Sequence, residues 1–205
     1  MKCKYNNFKS EIFAVLTCAF IAIIQLFLFS CQTFMPEGQP VSRSIAGRGV
    51  KSAPSLEAFF LSHCPGANRA KVRRMAVYYI EEASLEGINS DVAFVQMCHE
   101  TNFLRFGNLV SADMNNFCGL GAIDAEHRGL SFETERLGVR AHIQHLHAYG
   151  TPESVKLNNP LIDTRYKYVR PRGKAPDIQG LTGTWAADKK YSEKLEKYLC
   201  ELEGF

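Results

Sequence analysis

Beyond residue 55, apolar side chains recur every three or four positions, the period of helices with one buried face. Ser55 is placed to cap a first helix over Leu56 to Ser62, with Phe59 and Phe60 as apolar anchors. Asn68 can cap a longer helix in which Val72, Met75, Ala76, Tyr79, Ile80 and Ala83 share a stripe before Gly87 ends it. Asn89 or Ser90 opens the next helix, with Asp91 favourably placed in its first turn. That helix runs through Val92 to Phe103, is apolar enough to be buried, and carries Glu100. Glu135 to Tyr149 is helical again, with Val139, Ile143 and Leu146 in one stripe, and Tyr191 to Leu199 is the last helix. Between them, Gly107 to Phe132 alternates glycines, short apolar pieces and polar residues, which predicts loops or a small irregular sheet. Asn158 to Gly183, with Pro160, Pro171 and Pro176, is loop-like. The sum is a mainly helical α+β arrangement with a small β or irregular lobe inserted mid-chain, and no internal repeat.

The first 30 residues follow a different pattern. Lys2, Lys4 and Lys9 precede an apolar run from Ile12 to Phe29, the form of an export signal. The run ends in Leu28-Phe29-Ser30-Cys31, which resembles the lipobox of bacterial lipoproteins, although Phe29 is bulky for that position. On this reading residues 1–30 are a lipoprotein-type signal peptide and Cys31 becomes the lipid-bearing N-terminus. An uncleaved membrane anchor is the alternative, since the run approaches spanning length. Both place the domain outside the cytoplasm, at the cell envelope. Residues 31–55 are rich in Pro, Gly and Ser and read as a flexible tether, leaving residues 56–205 as the folded domain.

Composition narrows the partners. The chain has 205 residues, enough for one domain with a real core, and 46% hydrophobic against 22% charged content is ordinary for a globular protein. Removing the signal takes away Lys2, Lys4, Lys9 and Glu11, which brings the formal charge of +3 down to +1. So mild a balance, without a basic run, argues against nucleic acid. Cys64, Cys98, Cys118 and Cys200 remain after export, and their spacing suggests neither a disulfide framework nor a zinc site. Composition does not fix the oligomeric state.

The candidate chemistry centres on Glu100. A carboxyl group in an apolar helix is costly to ionise and keeps its proton toward neutral pH, as a general acid must. Gln96 lies one turn earlier on the same face. The stretch Asn115-Asn116-Phe117-Cys118-Gly119-Leu120-Gly121 offers two amides and a ring, a plausible wall for a sugar. His142 and His145 share a helical face, but His147 does not and no carboxylate has matching spacing, so neither a metal nor a cofactor is expected.

These residues carry a resemblance. Gln96-x-x-x-Glu100-Thr101 followed by Asn115 to Ala122 is similar to the bacterial glucosaminidases of glycoside hydrolase family 73. Gly138 to Tyr149, Leu157-Asn158-Asn159-Pro160, Asp163-x-Arg165-Tyr166 and Trp185-Ala186-Ala187-Asp188 leading into Tyr191 continue the series from about Gly49 to the C-terminus. The family more often has Tyr at the position of Trp185. The resemblance implies a lysozyme-like fold with a groove between lobes, peptidoglycan glycan strands as partner, and hydrolysis of the β-1,4 bond from N-acetylglucosamine to N-acetylmuramic acid. It implies Glu100 as catalytic acid, with Gln96, Asn115, Asn116, Phe117, Trp185 and Tyr191 as substrate contacts. For a second catalytic carboxylate, Glu126 is the first choice and Asp124 the second. A substrate-assisted route through the sugar's acetamido group would need neither. A lytic transglycosylase on the same fold, and a wall-binding lipoprotein without catalysis, are the competing readings.

Overall fold

The computed structural model describes residues 40–107 and 109–205. The export signal, Cys31 and the first part of the expected tether lie outside the described residues.

Among the described residues, five α-helices form the body: α1 (Ala53–His63), α2 (Arg69–Glu86), α3 (Ser90–Glu100), α4 (Glu135–Gly150) and α5 (Tyr191–Glu203). Their ends follow the expected cap chemistry with one shift. Asn68 and Asn89 accept backbone N–H groups at the starts of α2 and α3, and Gly87 closes α2 in the left-handed conformation at φ 67°. The first helix begins a turn earlier than its pattern predicted, because Ser52 rather than Ser55 is the cap and Pro54 fits the first turn. Helix α3 is buried from Ser90 to Cys98 and touches all four other helices, so Glu100 leaves the core at its C-terminal end.

The expected tether does not extend to residue 55. Val41 and Ile45 are 2% and 0% exposed, within the core. The backbone of Ile45 takes an N–H bond from Asn89 and gives one to Pro176, while Asn89 Nδ2 donates to the carbonyls of Ser42 and Ser44. Asp91, expected to serve the dipole of its own helix, also accepts N–H bonds from Val50 (2.7 Å) and Lys51 (3.2 Å). Arg43 pairs with Glu196 and Glu203 on α5. These partners all lie more than 35 residues away in sequence, and the segment's local composition carries no trace of them.

Residues 109–132 form the small lobe in the irregular of its two expected forms. Among the described residues the pairings are isolated bridges, such as Ala122 with Arg128, and no strand is assigned. Asn116 holds this lobe together: its Nδ2 donates to the carbonyls of Leu120 and Leu130, both at 2.9 Å, and its Oδ1 accepts Leu120 N–H at 3.0 Å. Gly138 on α4 lets the lobe approach, since a Cβ there would stand 1.8 Å from the Asn115 carbonyl oxygen. Cys64, Cys98, Cys118 and Cys200 are free thiols.

Candidate active site

Immediately after Glu100 the chain reverses in an unusual way. Asn102, Phe103 and Leu104 all have positive φ, between 48° and 58°. Each such residue costs about 1–2 kcal/mol. Phe103 repays part of this by packing among Phe59, Phe60, His63 and Tyr198. Thr101 braces the turn, its hydroxyl donating to Met97 O and accepting Leu104 N–H at 2.9 Å. Glu100 is thereby held at the rim of the helix core, facing the irregular lobe.

A cleft of about 290 Å³ opens there, walled by Glu100 and Thr101 on one side, Asn116, Cys118, Gly119 and Ala122 on another, and Trp185 and Ala186 on a third. Glu100 is half-buried, and one of its oxygens does the bonding: Oε1 accepts from Trp185 Nε1 at 3.0 Å and from the Tyr191 hydroxyl. Burial pushes the Glu100 carboxyl above its ordinary value, and the donors Tyr191 and Trp185 pull against that rise. Burial, reinforced by the nearby Glu100 charge, holds the Tyr191 phenol well above its ordinary value, so it remains a donor. Trp185 is itself set by rings: those of His145 and Tyr149 lie 5.2 Å from it and that of His142 5.8 Å.

The expected site residues separate into those at the cleft and those behind it. Glu100, Trp185 and Tyr191 come together as one hydrogen-bonded group. Gln96 does share the Glu100 face, but it is 0% exposed and reaches Glu100 only through Tyr191, so it is no substrate contact. Phe117 is also a correction: at 1% exposed it packs inward near Phe106 rather than forming a sugar wall. Asn115 donates to Phe132 O, and Asn116 borders the cleft with its amide bonded to backbone, so both spend their amides on the lobe itself. Asp124 and Glu126 are exposed and do not line the cleft. Asp124 instead ties a tight turn, accepting from the N–H groups of Glu126 and His127 and meeting the His127 ring at 2.9 Å. Among the described residues lining the cleft, Glu100 is the one carboxylate. Cys118 and Gly119 lie at the cleft within the expected Asn115–Gly121 wall, whereas Thr101, Ala122 and Ala186 line it unexpectedly; they do so through position, and small side chains carry no chemical signature.

The profile of the Glucosaminidase family, described as mannosyl-glycoprotein endo-beta-N-acetylglucosaminidase, matches residues 76–203. A protein of Borreliella burgdorferi described only as uncharacterized is 40% identical over 158 residues, which span 77% of this chain and 76% of that one. With more than half of its length matched, from the middle of α2 to the end of α5, the chain belongs to the glucosaminidase family, glycoside hydrolase family 73, and is a peptidoglycan hydrolase on a mainly helical, lysozyme-like domain.

Proposed function

We propose that the protein is an endo-β-N-acetylglucosaminidase that cleaves the β-1,4 bond between N-acetylglucosamine and N-acetylmuramic acid, with Glu100 as general acid. The observation that carries this reading is a half-buried carboxyl at the cleft wall, raised in pKa by burial, with both donors on one oxygen and the other left free. Glu100 delivers its proton to the glycosidic oxygen as the bond to the anomeric carbon breaks. With Glu100 the one carboxylate among the described lining residues, the acetamido oxygen of the N-acetylglucosamine unit is the nucleophile this reading favours. It closes on the anomeric carbon, and water then opens the ring so formed, giving its proton to the Glu100 carboxylate. The cleft volume lies near the lower end of ligand sites, ~300–1,000 Å³, which suits one sugar unit at the reacting position.

Mass spectrometry of digested peptidoglycan tests the reading. Reducing N-acetylglucosamine ends are expected, formed with retained anomeric configuration by NMR. Anhydro-sugar ends would mean a lytic transglycosylase instead, and binding without any cleavage would mean a non-catalytic wall protein. An inverted product would return the search to a second carboxylate, with Glu126 and Asp124 first.

The same proposal places the domain outside the cytoplasm, held to a membrane by lipid at Cys31. Its support is the charged start, the apolar run and the cysteine that ends it. Labelled palmitate is expected in the native chain and not in Cys31→Ala; equal labelling of the two would remove the lipid anchor.

A further inference from the structure

Behind Glu100 runs a file of buried polar side chains drawn from four helices. Tyr79 of α2 meets His142 of α4 through its hydroxyl and Nδ1 at 2.8 Å. His142 Nε2 meets Gln96 Oε1 of α3 at 3.0 Å, and Gln96 Nε2 donates to the Tyr191 hydroxyl at 2.8 Å. Tyr191 ends the file at Glu100 Oε1. Tyr79, His142 and Gln96 are each 0% exposed, so no solvent substitutes for a missing partner.

Such a file must have a direction, and hydrogen-bond accounting fixes it. The Tyr79 hydroxyl bonds to His142 Nδ1 and to no other described group. If it did not donate there, a buried O–H would stand without an acceptor and incur its full desolvation penalty. Tyr79 is therefore the donor and Nδ1 the acceptor. Burial, with the neighbouring His145 adding to it, lowers His142 to about 3, so the ring is neutral and its one proton sits on Nε2. That proton goes to Gln96 Oε1, which turns the Gln96 NH₂ toward Tyr191. The Tyr191 oxygen, filled by that N–H, can aim its own proton only at Glu100. The Trp185 indole N–H is a donor in any case. Glu100 Oε1 thus faces two hydrogens and cannot carry a third. Arg172 Nε is the one buried side-chain nitrogen or oxygen without a partner among the described residues, so the unpartnered Oε2 is open to solvent.

We propose that Tyr79, His142 and Gln96 are positioning residues that fix the acid proton of Glu100 on Oε2, the open oxygen, by dictating which way the Tyr191 hydroxyl points. The proposal rests on the general-acid reading of Glu100 and adds where its proton sits. Reversing the Gln96 amide would let Tyr191 donate to Gln96, and Glu100 could then place its proton on Oε1, turned into the protein and away from substrate. The titratable groups facing Glu100 are Tyr191 and Cys118, and those facing His142 are Tyr79 and His145. None of the four supplies a competing acceptor to Tyr191.

Infrared spectroscopy reads the placement without any turnover. In the full-length chain at acid pH, the native minus Glu100→Gln difference spectrum isolates the C=O stretch of protonated Glu100. With the proton on Oε2, the carbonyl is Oε1, and its two donors lower that frequency well below that of a free carboxyl C=O. In Gln96→Met, which conserves volume and adds no charge, the Tyr191 oxygen loses its donor and can accept the Glu100 proton from Oε1, so the band is expected to move up. The same variant is expected to lose kcat about five- to tenfold, what one neutral hydrogen bond is worth, with KM unchanged. Gln96→Glu, which presents an acceptor to Tyr191, should move the band further. A free-carbonyl frequency in the native chain would overturn the proposal, as would a native band and native kcat in Gln96→Met. Native hydrolysis by Glu100→Gln would instead defeat the general-acid reading and leave the infrared result standing.

Discussion

Glu100→Gln is expected to lose peptidoglycan hydrolysis by about 10²–10⁴-fold in kcat, the usual contribution of a positioned proton donor, while substrate binding persists. The substitution is close to isosteric with the protonated acid. Gln Oε1 can still accept from Trp185 and Tyr191, and its NH₂ stands where the proton-bearing oxygen was, but it has no proton to transfer. Stability should move the other way. The folded-state pKa of Glu100 lies above its ordinary 4.5, with burial the largest cause. The folded chain therefore holds a proton that the unfolded chain has already released. Its contribution to stability declines as pH rises from about 4.5 through the raised value. The glutamine removes that decline, so at neutral pH the variant should melt at or above the native temperature. The native enzyme's kcat/KM should fall as pH rises through the same raised value, because only protonated Glu100 is active. A variant that hydrolyses cell walls at the native rate would sink the assignment. One that melts far lower across the whole pH range would show that the carboxyl is structural.

Gly138→Ala is expected to be the most damaging small substitution in the domain. The new Cβ would lie 1.8 Å from Asn115 O, 2.9 Å from Asn115 C and 3.1 Å from Phe117 Cε2. Two of these are backbone atoms of a residue held at φ 51°, so no rotamer change relieves the contact. Overpacking of this kind costs about 3 kcal/mol at the upper end of its usual range. For a chain of this size that lowers Tm by about 6–12 °C. Activity should fall as well, because the displaced segment leads directly into Asn116, Cys118 and Gly119 of the cleft wall. Gly66→Ala is the matched control: a Cβ there meets nothing within 4 Å, and its effect should stay within about 0.5 kcal/mol. Equal melting of the two variants would contradict the packing described between α4 and the lobe.

Parts of this fold are legible in the amino-acid sequence. Helical periodicity and cap residues set α2, α4 and the start of α3 within a residue or two, since both signals act over one or two turns of chain, while α3 ends at Glu100 rather than Phe103. Glu100 stood out as a carboxyl in an apolar helix, and the ordered motifs gave the family. Other features needed the third dimension. The segment 41–52 looked like linker because its order comes from Asn89, Pro176, Glu196 and Glu203, all remote in sequence. Gln96, Phe117 and Asn116 looked like groove residues because polar and aromatic types suit a sugar. Burial turned Gln96 and Phe117 to relay and ring partners, and Asn116, though still at the cleft wall, has its amide bonded to backbone, since a buried amide must find its bonds within the protein. Asp124 and Glu126 looked like catalytic partners by type, but Asp124 ties a turn and both lie exposed outside the cleft lining. The amino-acid sequence thus determined most of the local elements, the family and a carboxyl group at the end of an apolar helix. Tertiary packing alone decided the neighbours of that acid, because hydrogen-bond direction and exclusion from water belong to contacts between helices and are not written in the order of residues along any one of them.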